Sequence, residues 1–239
     1  MQEDYKKMTG AYLVKREGRE KICQPLLKEQ EIELFINGNR ERVFSCTPEM
    51  IHQLVAGCLY SEGIISSVQD IKSMEQKKGS VYVTCKRSGG SHVGKNLFSG
   101  FGEDDVREFI RIFFERSFRH RETHASHKAI LFTEDKDCFW EADDVSRRAA
   151  VEKVIGQGVL SQTDLKKTCL MFSGRIPRDV VLKTVTSGIP LLIGRSYPTG
   201  EAVQEARDHG LVLCGCARED SFVLYAGKLG NRFVTIHEN

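Results

Sequence analysis

Residues 169–216 read CLMFSGRIPRDVVLKTVTSGIPLLIGRSYPTGEAVQEARDHGLVLCGC, and this stretch decides the fold. Three short apolar runs, Cys169–Phe172, Ile189–Ile193 and Leu211–Cys216, are separated by two mixed segments, Pro177–Thr186 and Thr199–His209. Short apolar runs bounded by Gly and Pro read as buried strands, and the longer segments between them as helices. Strand and helix alternating with short links predict a largely parallel sheet with both faces covered.

The pattern extends outward on both sides. Ser221–Ala226 reads as an edge strand, Lys128–Phe132 as a strand and Phe139–Trp140 as part of another. Asp144–Ile155 reads as a helix closed by Gly156. Glu103–Ser117 reads as a helix with Val106, Phe109, Ile110, Phe113 and Phe114 on one side. Further upstream the period changes to two: Ile32, Leu34 and Ile36 alternate with Glu31, Glu33 and Phe35, and Asn37-Gly38 opens a turn toward a returning strand at Arg42–Cys46. Thr47-Pro48 has the form of a helix start, Thr as cap and Pro at the first position, and Gly63 ends that helix. Ile71–Met74 and Ser80–Cys85 read as a further β pair. The first 25 or so residues are polar and read as a frayed or docking strand. Residues 86–102 hold five glycines and read as a flexible loop at a domain boundary. The expected class is therefore α/β (α+β), with a smaller β-rich N-terminal domain over 1–102 and an α/β domain over 103–239.

Composition narrows the function classes. At 239 residues the chain is about 1.6 typical domain lengths and needs neither disulfide nor metal to fold. A net charge of +2 excludes a strongly basic footprint on nucleic acid. Eight cysteines in so long a chain do not make a disulfide scaffold of the small secreted kind. The charged start MQEDYKKMTGAYLVKREGREK is no signal peptide, and no apolar run is long enough for a membrane span, so the expected compartment is the reducing cytoplasm.

Candidate chemistry is confined to a few places. Cys214 and Cys216 share a face if they lie on a strand, at a spacing of ~6.6 Å, and two small apolar residues packing there is the plainer reading. No Cys-x-x-Cys occurs, which leaves the common structural zinc spacings unsupported. His120, His124 and His127 would share a face of a helix, yet the Glu of a His-Glu-x-x-His site is missing. Ser173-Gly174-Arg175 follows one predicted strand and precedes a helix, and Ser196-Tyr197-Pro198-Thr199 repeats that geometry one unit later. Two such turns on one edge suit an anionic group, though each alone reads equally as turn and cap residues. Neither a Walker A sequence nor a GxGxxG opening a βαβ unit is present.

Taken in order, these segments resemble the formate dehydrogenase accessory protein family, the FdhD sulfurtransferases, over residues 31–228 or so. The resemblance is carried by EIELFINGNRERVFSCTPEMIHQLVAGCLYSEGII, DDVSRRAAVEKVIG, SGRIPRDVVLKTVTSGIPLLIGRSYPTGEAVQEA and GLVLCGCAREDSFVLYA. It implies a cytidine-deaminase-like three-layer second domain without zinc. It also implies a cytoplasmic homodimer that takes persulfide sulfur from a cysteine desulfurase for the molybdenum bis-molybdopterin guanine dinucleotide cofactor of formate dehydrogenase. A guanine nucleotide such as GDP or GTP would then bind where the cofactor's own guanine moieties do. Residues matching the family's motifs are Asp144, Arg147 and Lys153, then His124, then Ser173, Gly174, Arg175 and Lys183, then Ser196 and Thr199. The cofactor segment maps to Cys216, Ala217, Arg218, Glu219, Asp220 and Ser221. The family's Cys-Gly-x-Cys-Gly loop has no counterpart, because residues 86–102 contain no cysteine. Two readings follow: sulfur transfer through another thiol such as Cys85, Cys214 or Cys216, or cofactor binding as a chaperone without sulfur transfer.

Overall fold

The alternating run near the N-terminus does form a half-buried strand. In the computed structural model, which describes residues 5–88, 100–136 and 139–230, β3 (Gln30–Ile36) turns Ile32, Leu34 and Ile36 inward. It pairs antiparallel with β4 (Asn39–Cys46) and parallel with β6 (Ser80–Cys85), and β5 (Ile71–Lys77) closes a four-stranded sheet of order β4-β3-β6-β5. Helix α1 (Ile51–Ser61) covers the inner face, where Leu54, Val55, Cys58 and Leu59 meet the sheet. Before this sheet stands a separate two-stranded hairpin, β1 (Lys6–Lys15) and β2 (Gly18–Leu27), in place of a frayed segment.

The second sheet has six strands in the order β12-β11-β10-β9-β7-β8. They are β7 (His127–Thr133), β8 (Phe139–Asp144), β9 (Thr168–Phe172), β10 (Leu191–Gly194), β11 (Val212–Gly215) and β12 (Val223–Ala226). Only β9, β10 and β11 run parallel, joined by α5 (Arg178–Thr186) and α6 (Gly200–His209). β7, β8 and β12 are antiparallel to their neighbours, so the sheet is mixed. Helix α2 (Glu103–Arg116) packs on one face through Val106, Phe109, Ile110 and Phe113. Helices α4 (Arg147–Leu160), α5 and α6 cover the other, which gives the expected three layers. A short helix α3 (Phe118–Thr123), not evident from periodicity, links α2 to β7.

Helices α1 and α4 join the two halves. A Cβ added at Gly57 would stand 1.7 Å from the Glu152 carbonyl oxygen, and one at Gly156 1.8 Å from that of Gln53. Gly156 is thus no terminator: the helix runs on to Leu160, and its glycine admits the α1 backbone. Two other boundaries also move. Asp144 ends β8 rather than starting α4, and Ser146 is the cap, its Oγ accepting from Ala149 N at 3.4 Å. Helix α1 starts at Ile51, and Thr47 is drawn away from capping by partners across the α1–α4 junction. The glycine-rich stretch read as a flexible boundary lies mostly outside the described residues.

Candidate functional site

All the loops of interest emerge at one edge of the six-stranded sheet. β9, β10 and β11 end there, β7 begins there because it is antiparallel to β9, and β8 ends opposite the start of β7. The loop residues after the parallel strands therefore lie near His127 and Asp144. This is the position where open α/β sheets take ligands.

The two predicted turns clasp each other. Ile176 N donates to Tyr197 O at 3.1 Å and Thr199 N to Ile176 O at 3.0 Å, which ties the Ser173 turn to the Ser196 turn. Thr199 Oγ1 accepts from Ala202 N at 3.2 Å, the predicted cap of α6. Cys216 N donates to Ser196 O at 3.1 Å, so the third loop joins the same edge.

Within this edge β7, the turn after β9 and α4 bring His127, Ser173 and Arg147 together. Ser173 Oγ accepts from Lys128 N at 3.1 Å and lies 3.3 Å from His127 Nδ1. Gly174 leaves room for Arg147, whose Cδ would stand 3.0 Å from an added Cβ. The Arg147 Nε is buried without a hydrogen-bond partner among the described residues. A buried guanidinium N–H left unpaired is costly, and an incoming anion would satisfy it. Burial holds the His127 imidazole below its ordinary value, and the Arg147 and His120 charges push the same way. Arg175, next along the same turn, is exposed.

The last loop supplies a thiol and a second cation. Cys216 adopts a left-handed conformation with φ 53°. Its Sγ is 3.2 Å from the Tyr225 hydroxyl, and that hydrogen bond, with some burial, pushes Tyr225 up to about 12. Arg218 is exposed, yet its Nη1 donates to the carbonyls of Arg195 (2.7 Å) and Ala217 (2.8 Å), while Arg218 N donates to Ser221 O at 2.7 Å. Asp220 holds the loop to α2 by accepting from Arg107 Nη1 at 2.9 Å. Glu219 reaches a cavity of about 620 Å³ shared with Arg195, Arg121, His120 and Phe114.

Four of the expected ligand residues face elsewhere. Asp144 and Lys153 are fully buried and paired at 2.5 Å, and Thr47 Oγ1 bridges them at 3.0 and 2.8 Å. Their charges are spent on holding Thr47, four residues ahead of α1, against β8 and α4. Lys183 sits at the other end of α5, 2.8 Å from both Glu62 and Glu152, with Arg42 on the far side of Glu62. Cys58, Glu62 and Glu152 have the proximity of a metal site, but the Lys183 ammonium already supplies the positive charge between the two carboxylates. His124 is exposed at the end of α3 with φ 53°. His127, by contrast, stands at the edge with its Nδ1 3.3 Å from Ser173 Oγ.

The thiols sort by accessibility. Cys46, Cys58, Cys85, Cys169 and Cys214 are buried, and burial raises all five, Cys46 and Cys214 to about 12. Cys216 is half-buried and Cys23, on the hairpin, is exposed, while Cys138 lies outside the described residues. Among the described residues no helix is long and apolar enough to cross a membrane.

Comparison with known proteins bears on this edge. The FdhD/NarQ family profile matches residues 27–102 and 99–231. The chain is 29% identical to the sulfur carrier protein FdhD of Methanothermobacter thermautotrophicus, covering 87% of this chain and 92% of that protein. It is 28% identical to the sulfur carrier protein FdhD of Bacillus subtilis, covering 86% and 89%. The crystal structure of a putative formate dehydrogenase accessory protein from Desulfotalea psychrophila superposes with a TM-score of 0.82 at 20% identity, over 93% of this chain and 97% of that one. With both halves of the chain matched by the family profile, this protein belongs to the FdhD/NarQ family.

Proposed function

We propose that this protein is a formate dehydrogenase accessory protein that carries sulfur to the molybdenum bis-molybdopterin guanine dinucleotide cofactor, with Cys216 as the carrier thiol. The observation that carries the reading is the position of Cys216: among the described thiols, it alone is both unburied and on the cationic edge. The cofactor is cargo here. Its diphosphate groups fit an edge where Arg147 Nε is unpaired and Arg175 and Arg218 are exposed. His127 and Ser173 would orient a phosphate oxygen beside them.

The sulfur step needs only a thiolate. The Cys216 thiolate attacks the outer sulfur of a persulfide on a cysteine desulfurase. The S–S bond of the donor breaks, its cysteine leaves as thiolate, and Cys216 becomes the persulfide. Tyr225, kept protonated at neutral pH, donates a hydrogen bond to the sulfur at each stage. The same reading gives a cytoplasmic homodimer whose other partner is formate dehydrogenase.

Incubation with a cysteine desulfurase and cysteine, followed by intact-mass measurement, tests this. One added sulfur atom is expected on the unaltered chain and on Cys23→Ser, and none on Cys216→Ser. If no sulfur is taken up while GDP still binds, the second reading holds: a cofactor-binding chaperone without sulfur transfer. The cysteine-free stretch 86–102 is what favours that alternative.

A further inference from the structure

Three features of the backbone converge on the Cys216 sulfur. The first is the end of β11. An extended Cys216 would follow Cys214 into the core beneath α2, but its φ of 53° turns it off that face. The turn is held by Cys216 N and Ala217 N, which donate to Ser196 O and Gly194 O at 3.1 Å each. The second is in β12. Leu213 pairs with Ala226 and Cys214 with Leu224, so Tyr225 is the extra residue of a β-bulge. A bulge re-aims the side chain it carries. Arg207 of α6 fixes this one, donating to Tyr225 O at 3.3 Å. The third is Gly215. A Cβ added there would stand 3.0 Å from Tyr225 Cε2, so the glycine leaves the ring its path. Together they set the Tyr225 hydroxyl 3.2 Å from Cys216 Sγ.

What a phenol does for this sulfur depends on the direction of transfer. A hydrogen-bond donor favours the charged form of its acceptor, here a thiolate. On uptake that has two opposed effects: more of a thiol is ionised, but each thiolate is a weaker nucleophile. On release nothing opposes it. An acceptor attacks the outer sulfur of the Cys216 persulfide, the S–S bond breaks, and its electron pair departs on Cys216 Sγ as the thiolate. A stabilised thiolate leaves faster. The phenol keeps its proton at neutral pH, because the bond to Cys216, with some burial, holds it up to about 12. Tyr225 therefore lends a hydrogen bond and transfers no proton.

We propose that Tyr225 is a catalytic residue of the release step: its hydroxyl, aimed by the bulge, holds the inner sulfur and stabilises the departing Cys216 thiolate. The inference rests on Cys216 as the carrier thiol, and it gives the bonded pair a direction, outward rather than inward.

Cyanide tests it, because cyanide takes the outer sulfur of a persulfide as thiocyanate and leaves the cysteine thiolate. Its rate therefore reads release alone. The full chain with Cys23→Ser is loaded by a cysteine desulfurase and cysteine, freed of both, and treated with cyanide, with and without Tyr225→Phe. Cys216→Ser serves as the blank. Tyr225→Phe keeps the ring and removes only the hydroxyl. Loss of one hydrogen bond to a charged sulfur is expected to slow thiocyanate formation about tenfold. The rate of sulfur uptake, followed by intact mass, is expected to change by no more than about threefold, since its two effects offset each other. A chain that takes up no sulfur on Cys216 overturns the carrier reading and the release role together. A loaded Tyr225→Phe chain that releases sulfur at the unaltered rate overturns the release role alone. So does one slowed equally in uptake and release, the mark of altered packing.

Discussion

The charged residues that carry the family resemblance divide into two groups with opposite fates. Asp144 and Lys153 are sealed at the α1–α4 junction with Thr47 between them, while Arg175 and Arg218 stand in solvent at the sheet edge, in the loops after β9 and β11. In sequence the two groups look alike: a polar motif at the end of a strand. The difference is what each charge finds opposite it. A buried ion pair is held by its partner and its hydrogen bonds, and breaking it exposes an uncompensated charge. An exposed arginine bonded to carbonyls contributes little to stability and keeps donors available for a ligand.

The largest effect should come from breaking the sealed pair. Lys153→Ala is expected to cost about 3–5 kcal/mol in urea unfolding, because Asp144 is left charged and buried. Asp144→Leu combined with Lys153→Met should recover part of that loss, and no recovery would mean that the Thr47 bonds rather than the pair hold the junction. Next in size is Gly156→Ala, where the added Cβ meets the Gln53 carbonyl. A loss of about 1–3 kcal/mol is expected by the same measurement, with α1 and α4 forced apart. The exposed group should behave in the opposite way. Arg218→Ala and Arg175→Ala are expected to change stability by no more than about 0.5 kcal/mol. Each should nevertheless weaken GDP binding by about tenfold in calorimetric titration, the scale of one charged hydrogen bond. Unchanged affinity in both would move the ligand away from this edge.

The smallest effect is a pH slope. His127 is held below its ordinary value chiefly by burial, with Arg147 and His120 adding to it and Asp144 opposing. The folded protein therefore binds this proton less readily than the unfolded chain. The stability contribution is present above about pH 6.5 and is lost as pH falls through the folded value. His127→Gln should make the unfolding free energy less steep below pH 6.5, by less than ~1.4 kcal/mol per pH unit.

Much of this architecture was legible in the residues. The βαβαβ stretch over 169–216 announces its three strands and two helices, because buried strands need continuous apolar runs and the turns between them need Gly and Pro. What remained hidden depends on tertiary contacts. Gly156 has the form of a helix terminator, and only its contact with α1 reveals a packing role. Thr47 has the form of a cap, and only the approach of Asp144 and Lys153 diverts it. The pairing of Lys183 with Glu62 spans 121 positions, and the bond between Cys216 and Tyr225 crosses an antiparallel pair whose register shifts there.

The glycine crossing of α1 and α4 also sets an order of events at the ribosome. Gly57 is made some hundred residues before Gly156, and the core beside the N-terminal sheet includes Ala149 from α4. Until α4 emerges, the outward side of α1 has no partner, so the first half must wait with that helix uncovered. Contacts of such long sequence separation are slow to form and leave apolar surface open to aggregation during synthesis. The N-terminal half should thus depend on the nascent chain's reaching α4, and a fragment ending before that helix should be retained by chaperones rather than released folded.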